Sequence, residues 1–524
     1  MRRTNLLRTL ATTFLSVGFA VAAASSCSLI TSSDIAPGGI GQPCKDDSDC
    51  QGASCDNGLC TAACSTTAQC PEPSQCLNNT CQLPLRVAGI WIGLATAAEG
   101  WTLTHQEGIE FAKEKLGYID YVYEEGVLGE PAEKAIDKYV ADGYQVIIAN
   151  SWDHLATVRK KAAQYPNTTF LHCSGIPVEP NVSSFFAHME HAWYVAGRIA
   201  ARKSKTGHLG FIGSFVTAEV VRHLNAFALG AKKENPNAKV EVRWLGFWYD
   251  VDFDKALWEY TPKHMGDKAV KKNMTGEEYL TAKLIDSGAD VITHNLDNQL
   301  PSRYVGIHTT AKTMKNPKNP DQDWVVWTIA NDNIHGWRDQ SGQPFANAIG
   351  ATYWNWGYPY IEIFEDIHRG RLTSKAYMYP LTTDTETSVV GFNLSSAETD
   401  VTTLSLKVLL DEASKMRDVY EGPVKQTGQR PGGDIPPGTV IDENEWRNMC
   451  WFVDNVVERA NPNDFDSELV SAKVPTATVK GNLGSQKEPT DGSPREPTTA
   501  PEILLDLGSN GAIWDCVTNS APGG

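Results

Sequence analysis

RVAGIWIGLATAAEGWTLTHQEGIEFAKEKLGYIDYVY, residues 86–123, opens on an apolar run (Arg86 to Ile92) and turns at Gly100-Trp101. It then takes a helical periodicity from His105 to Leu116 and returns to an apolar run, Ile119 to Tyr123. A short apolar run, an amphipathic helix and a second short run make up the unit of a parallel sheet with helical crossovers. The alternation continues through runs at Gln145 to Ala149, Thr169 to His172, His208 to Ile212, Val240 to Leu245, Val291 to Thr293 and Trp324 to Ile329. Helical patterns lie between them at Pro131 to Asp142, Trp152 to Gln164, Ala187 to Lys203, Glu219 to Asn235 and Gly276 to Ser287. Some eight strands, split near Lys203 to Gly207, predict an α/β fold of two Rossmann-like lobes spanning 83–460. Lobe 1 is expected over about 83–205 and 350–385, lobe 2 over about 206–349 and 386–460.

Outward from this body the texture changes. Eight of the 12 cysteines fall between Cys44 and Cys81. Cys44, Cys50, Cys55 and Cys60 are echoed by Cys64, Cys70, Cys76 and Cys81 at offsets of 20 or 21 residues. Such density belongs to an oxidising compartment and a small stapled module, here 44–82. Zinc would need closer Cys pairs with His support, and this segment has no His. Four cysteines per copy allow three connectivities, which spacing does not decide. At the start, Arg2, Arg3 and Arg8 precede an apolar run from Phe14 to Ala24, then Ser25, Ser26 and Cys27, the pattern of an export signal over 1–26. The small residues before Cys27 resemble a bacterial lipobox, with Cys27 as the lipidated residue and 27–43 as a linker; ordinary signal cleavage is the rival. The chain is thus expected in the cell envelope, lipid-anchored on the periplasmic or surface face of a bacterial membrane. The stretch 461–524 is polar and reads as a largely disordered tail, which a Cys450 to Cys516 bridge would pin; Cys173 is left as a buried thiol.

Composition narrows the chemistry. A net charge of −17 over 524 residues, with no dense Lys/Arg run, argues against nucleic-acid binding. Fifteen Trp and 17 Tyr supply aromatic faces for a flat ligand. His105, His154, His172, His188, His191 and His294 form no recognised metal or acid-base motif, and neither a nucleophile elbow nor a phosphate-cradling loop is present. No catalytic residue, metal or cofactor is expected.

Gly100-Trp101, Ala187-His188-Met189-Glu190 through Gly197, Glu219 through Phe227, and Trp354-Asn355-Trp356-Gly357 resemble the basic membrane protein (Med) family of ABC-transporter substrate-binding lipoproteins. The likeness runs in order from about Val87 to Val457, including Trp451-Phe452-Val453. It implies a type I periplasmic-binding-protein fold with a hinge, a purine nucleoside or nucleobase as ligand, and an ABC permease as partner. Trp101 and Trp248, just beyond strands in opposite lobes, match an aromatic sandwich. Asp332 matches a family Asp that would hold ligand polar groups. Ser151, Trp152 and Asp153 follow a strand end, where Asp153 is either a first-turn acid or a ligand contact. Glu219 is a ligand candidate or the partner of Arg222 one helical turn on. Trp354 and Asn355 are further candidates, although Trp354 stands where the nucleoside-binding branch carries a Lys, which opens the site to a nucleobase or another aromatic metabolite. Leu257 to Tyr279 resembles an insertion. A surface receptor that senses its ligand without transporting it is the alternative; an enzyme on the same fold is the remote third.

Overall fold

The computed structural model describes residues 39–473 apart from 57, 73, 96–99, 175–178, 247, 250–257, 310–314, 317–318, 340, 371, 373 and 462–466; beyond 473 it describes 480–481, 506–507 and 516. The expected signal peptide, Cys27 and most of the expected disordered tail lie outside the described residues.

The cysteine repeat folds as two copies of one motif. A 3-10 turn, Asp47–Asp49 or Thr67–Gln69, precedes a hairpin, Ser54–Asp56 with Leu59–Thr61 or Gln75–Leu77 with Thr80–Gln82. The bridges are Cys44–Cys55, Cys50–Cys60, Cys64–Cys76 and Cys70–Cys81. Within each hairpin two cysteines face each other, Cys55 with Cys60 and Cys76 with Cys81, yet each bonds away from its neighbour. The hairpin is thereby stapled to the chain before it, which a bond between adjacent strands would not do. Asn78 Nδ2 donates to the Leu116 carbonyl at 3.0 Å and seats the module on the body.

Lobe 1 carries β1 (Leu85–Ile90), α1 (Trp101–Leu116), β2 (Ile119–Glu124), α2 (Glu130–Ala141), β3 (Val146–Ala149), α3 (Leu155–Gln164), β4 (Thr169–Cys173) and β5 (Val182–Ala187). Lobe 2 adds α4 (Met189–Lys203), β6 (His208–Gly213), α5 (Ala218–Glu234), β7 (Lys239–Trp244), α6 (Gly276–Asp286), β8 (Val291–Asn295), α7 (Leu300–His308), β9 (Trp327–Ala330) and β10 (Ala348–Trp354). The chain then gives α8 (Gly357–His368) and β11 (Ala376–Tyr379) to lobe 1, and β12 (Val390–Leu394), α9 (Thr403–Ser414), α10 (Glu443–Arg447), β13 (Val456–Arg459) and β14 (Leu469–Ser471) to lobe 2. The first sheet runs β11-β5-β4-β3-β1-β2, with every neighbour parallel. The second runs β12-β10-β9-β8-β6-β7-β13-β14, parallel except at its two outer strands.

The lobe boundaries need correction. α4, expected in lobe 1, packs on α5: a Cβ at Gly197 would lie 1.9 Å from the Phe227 carbonyl oxygen, and one at Gly230 would lie 2.0 Å from that of Tyr194. Two helices meeting backbone to backbone form one rigid unit, so the first crossing is at His188, not near 205. β10 likewise completes the second sheet, so the return to lobe 1 falls after Trp354, not at 350. A Cβ at Gly357 would press on Phe111, which sets the start of α8 against α1. The expected insertion holds a hairpin, Trp258–Tyr260 with Lys272–Met274. Asp286 fastens it to lobe 2 by accepting from Tyr260 Oη (2.7 Å) and the backbone N–H of His264 (2.7 Å). The tail is anchored: Cys450 bonds Cys516, whose N–H donates to the Val216 carbonyl. Cys173 is a free, buried thiol.

Candidate functional site

In the strand order 2-1-3-4-5 the sheet opens a crevice where the order reverses, at the carboxyl ends of its first and third strands. Both lobes have this order: β2-β1-β3-β4-β5 and β7-β6-β8-β9-β10. The two crevices face each other across a cleft with about 430 Å³ of space between its walls, open solvent included. Lobe 1 contributes Trp101, Ser151, Trp152 and Ser174, and lobe 2 contributes Glu219, Trp248, Asn295, Asp297 and Asp332.

Trp101 begins α1 directly after Gly100, whose φ of 98° is open chiefly to glycine. A Cβ at Gly100 would lie 1.6 Å from the Asp297 carbonyl oxygen, so the lobes touch here. The indole Nε1 of Trp101 donates to the Asn150 carbonyl at 2.6 Å, and the ring stands edge-on to Trp354 (centroids 5.4 Å apart) and Trp356 (5.8 Å). Ser151 caps the turn after β3, its Oγ accepting from the Asp153 N–H at 3.2 Å. The His172 ring, 2.8 Å away, holds the Ser151 carbonyl. Asp153 is therefore the first-turn acid and Ser151 the cap. Burial pushes the Asp153 carboxyl up to about 6, against the pull of a Trp248 hydrogen bond from the other lobe; Asp153 Oδ2 has no hydrogen-bond partner among the described residues.

Across the gap, Trp248 packs edge-on against Phe215 at 5.4 Å, and its carbonyl accepts from the Asp297 N–H at 2.9 Å. Asp332 holds a left-handed backbone (φ 67°) and accepts on Oδ1 from Trp354 Nε1 at 3.1 Å and Asn331 Nδ2 at 2.8 Å. Burial is the main cause that lifts its carboxyl to about 8, and the Glu219 charge adds to it. Glu219 sits in the first turn of α5. Burial raises it to about 7 although the nearby Arg222 charge pulls the other way. No ion pair joins Glu219 to Arg222 among the described residues: Arg222 Nη1 donates to the Trp446 carbonyl at 3.0 Å, and its guanidinium lies over that ring at 3.8 Å. Asp297 is pushed well up by burial, then by Asp332, Asp153 and Glu219.

Six of the nine expected site residues line the cavity, and Asp153 lies against it. Trp354 and Asn355 require correction. Trp354 is buried behind the wall, stacked on Trp356 at 5.1 Å, and supports Asp332 and Trp101 from the rear. Asn355 turns outward at the lobe crossing, donating to the Glu386 carbonyl at 3.1 Å. Ser174, Asn295 and Asp297 were not foreseen, although the strand-end argument applied to Trp101 holds equally for residues just past β4 and β8. The His188-Glu190-His191 group, which could hold a metal ion by its spacing, stands at the first hinge crossing. Glu190 Oε1 there takes both His188 Nδ1 (2.8 Å) and Trp446 Nε1 (3.1 Å), committing the carboxylate to the fold.

The family model of PnrA-like ABC transporter substrate-binding proteins matches residues 94–263. A purine-binding protein of Brucella abortus is 32% identical over 217 residues, 41% of this chain and 55% of that protein. A protein described as the glucose-binding component of an ABC transporter in Haloferax volcanii is 24% identical over 56% of this chain and 63% of its own length. The chain thus spans little more than half of these relatives. A solved solute-binding protein of an ABC transporter from Conexibacter woesei superposes with a TM-score of 0.47 at 18% identity, over 63% of this chain and 95% of that one. The matched stretch, residues 94–263, holds Trp101, Asp153, Glu219 and Trp248, so the part of this chain that builds much of the cleft is similar to the PnrA-like ABC transporter substrate-binding proteins.

Proposed function

We propose that this chain captures a small flat ligand of the purine class between its lobes, outside the cytoplasm, and passes it to a membrane permease. One observation carries the reading: Trp101 from lobe 1 and Trp248 from lobe 2 line the same cavity, beside Trp152. Indole faces on opposite lobes reward closure, because a planar molecule gains its second stacking surface only when the lobes meet. The name of the Brucella abortus relative supports a purine. Among the described residues no helix is long and apolar enough to cross a membrane. A lipid on Cys27, which follows the small residues Ala24, Ser25 and Ser26, would hold the chain at one.

A thermal-shift screen of nucleobases, nucleosides and glucose tests the ligand class. A purine should raise the melting temperature in a dose-dependent way while glucose does not. Stabilisation by glucose alone would refute the assignment. For attachment, Cys27→Ser should move the protein from the membrane to the soluble fraction; a variant that stays with the membrane would rule out the lipid.

A further inference from the structure

The cavity is lopsided in charge and in hydrogen-bonding sense. None of its nine described lining residues is basic, while Glu219, Asp297 and Asp332 line it and Asp153 lies against it. Among the described residues no hydrogen bond reaches the carboxyls of Glu219 or Asp297, and Asp332 spends one oxygen on Trp354 and Asn331. Asn295, 6% exposed, gives its Nδ2 to His223 at 3.3 Å, which leaves Oδ1 as an unpartnered acceptor in the same wall. Two indole donors are already used: Trp101 Nε1 is on the Asn150 carbonyl, and Trp248 bonds Asp153. The described lining thus sets carboxyls, the Asn295 oxygen and indole faces beside the Ser151 and Ser174 hydroxyls, with no cationic side chain among them. Aromatic faces together with unpaired carboxylates recognise a flat cation.

We propose that the cleft selects a planar heteroaromatic ligand bearing a positive charge, protonated or quaternised on the ring, held between the indoles and neutralised by Glu219, Asp297 and Asp332. This deepens the proposed function and rests on its placing the ligand between the lobes. On the neighbouring elements the Arg222 charge partly offsets Glu219 but forms no ion pair with it among the described residues. On α5, Arg222 is tied to Trp446 and His223 is held far below its usual range by burial; on α4, Glu190 is bonded to His188 and Trp446. At the end of β8, His294 is likewise held neutral by burial, and at the end of β4 the Cys173 thiol is pushed well up by burial. With no ligand, burial keeps protons on part of the acidic set, Glu219 near 7 and Asp332 near 8. An incoming cation displaces those protons, so its affinity should rise with pH between 6 and 8.

The test is calorimetry on the full-length protein in detergent, with adenosine against 1-methyladenosine and quinoline against N-methylquinolinium. Runs at pH 6, 7 and 8, in two buffers of different ionisation heat, count the protons exchanged. Each cation should bind at least about tenfold tighter than its neutral partner, release protons, and gain up to about tenfold per pH unit for each proton released. Glu219→Gln and Asp332→Asn, near-isosteric changes, should each shrink the cation preference. Equal or better binding of the neutral partner, or proton uptake, overturns the charge assignment while leaving the interlobe site in place. If neither series binds, both readings fail.

Discussion

Asp332 joins local backbone to site chemistry. Its left-handed conformation is one that Asp and Asn tolerate better than most residues, and its Oδ1 is locked by Trp354 and Asn331. A buried acid raised to about 8 contributes stability that is complete below the unfolded value near 4 and is lost as pH climbs through 8, because the folded state holds the proton longer. Asp332→Asn cannot ionise. Its stability relative to the native protein should therefore grow from pH 5 to pH 8, by about 3–4 kcal/mol in denaturant titrations. A difference that stays flat with pH would show that Asp332 titrates normally. Glu190 is the opposite case: His188 and the neighbouring charges outweigh its burial and hold it at about 2, so its contribution is present above about 4.5 and fades as pH falls toward 2. Trp101, Trp152, Trp248, Glu219 and Asp332 were placed by the apolar runs before them together with the family resemblance, whereas Asp297, just past β8, was not foreseen. Trp354 was not, since a Trp at a strand end looks the same whether it faces the ligand or props up the residue that does.

At the level of elements, the first strands agree with their apolar runs closely, Arg86 to Ile92 against Leu85–Ile90 and Val240 to Leu245 against Lys239–Trp244. The later ones escaped notice for physical reasons. β5, Val182–Ala187, is buried throughout yet carries Ser183 and Ser184, and Ser183 Oγ accepts from the Lys375 N–H beside it at 3.3 Å. β10 passes through Gly350, where a Cβ would meet the Asn393 carbonyl oxygen at 2.3 Å, so tight packing requires a residue that reads as loop. The turn at Gly100 has the most direct consequence for closure. Gly100→Ala adds a methyl that meets the Asp297 backbone of the other lobe and also strains a positive φ. The variant should fold but stay open: small-angle scattering should show no compaction on adding ligand, and affinity should fall at least about tenfold. Compaction equal to the native protein's would mean that the lobes meet elsewhere.

Over the whole molecule, three crossings join the lobes, at His188, after Trp354, and between Tyr379 and Val390. A split set near Lys203 to Gly207 misplaced α4, because a helix buried from Met189 to Ala201 carries no sign of which sheet it covers. The stapled module was fully visible as a repeat, whereas its pairing depended on which cysteines the hairpins bring near the preceding turns. In the chain-entropy view each of its loops contributes about 3 kcal/mol, so reduction should unfold residues 44–82 and leave the melting of the two lobes nearly unchanged. Loss of the main transition on reduction would show that the module braces the body. The central claim is that one planar ligand is gripped by indoles from both lobes. Titration calorimetry of the best purine or purine-like cation against Trp101→Ala and Trp248→Ala measures it directly. Each variant should lose about 1–3 kcal/mol of binding energy while keeping the native fold; unchanged affinity in both would place the ligand somewhere other than this cleft.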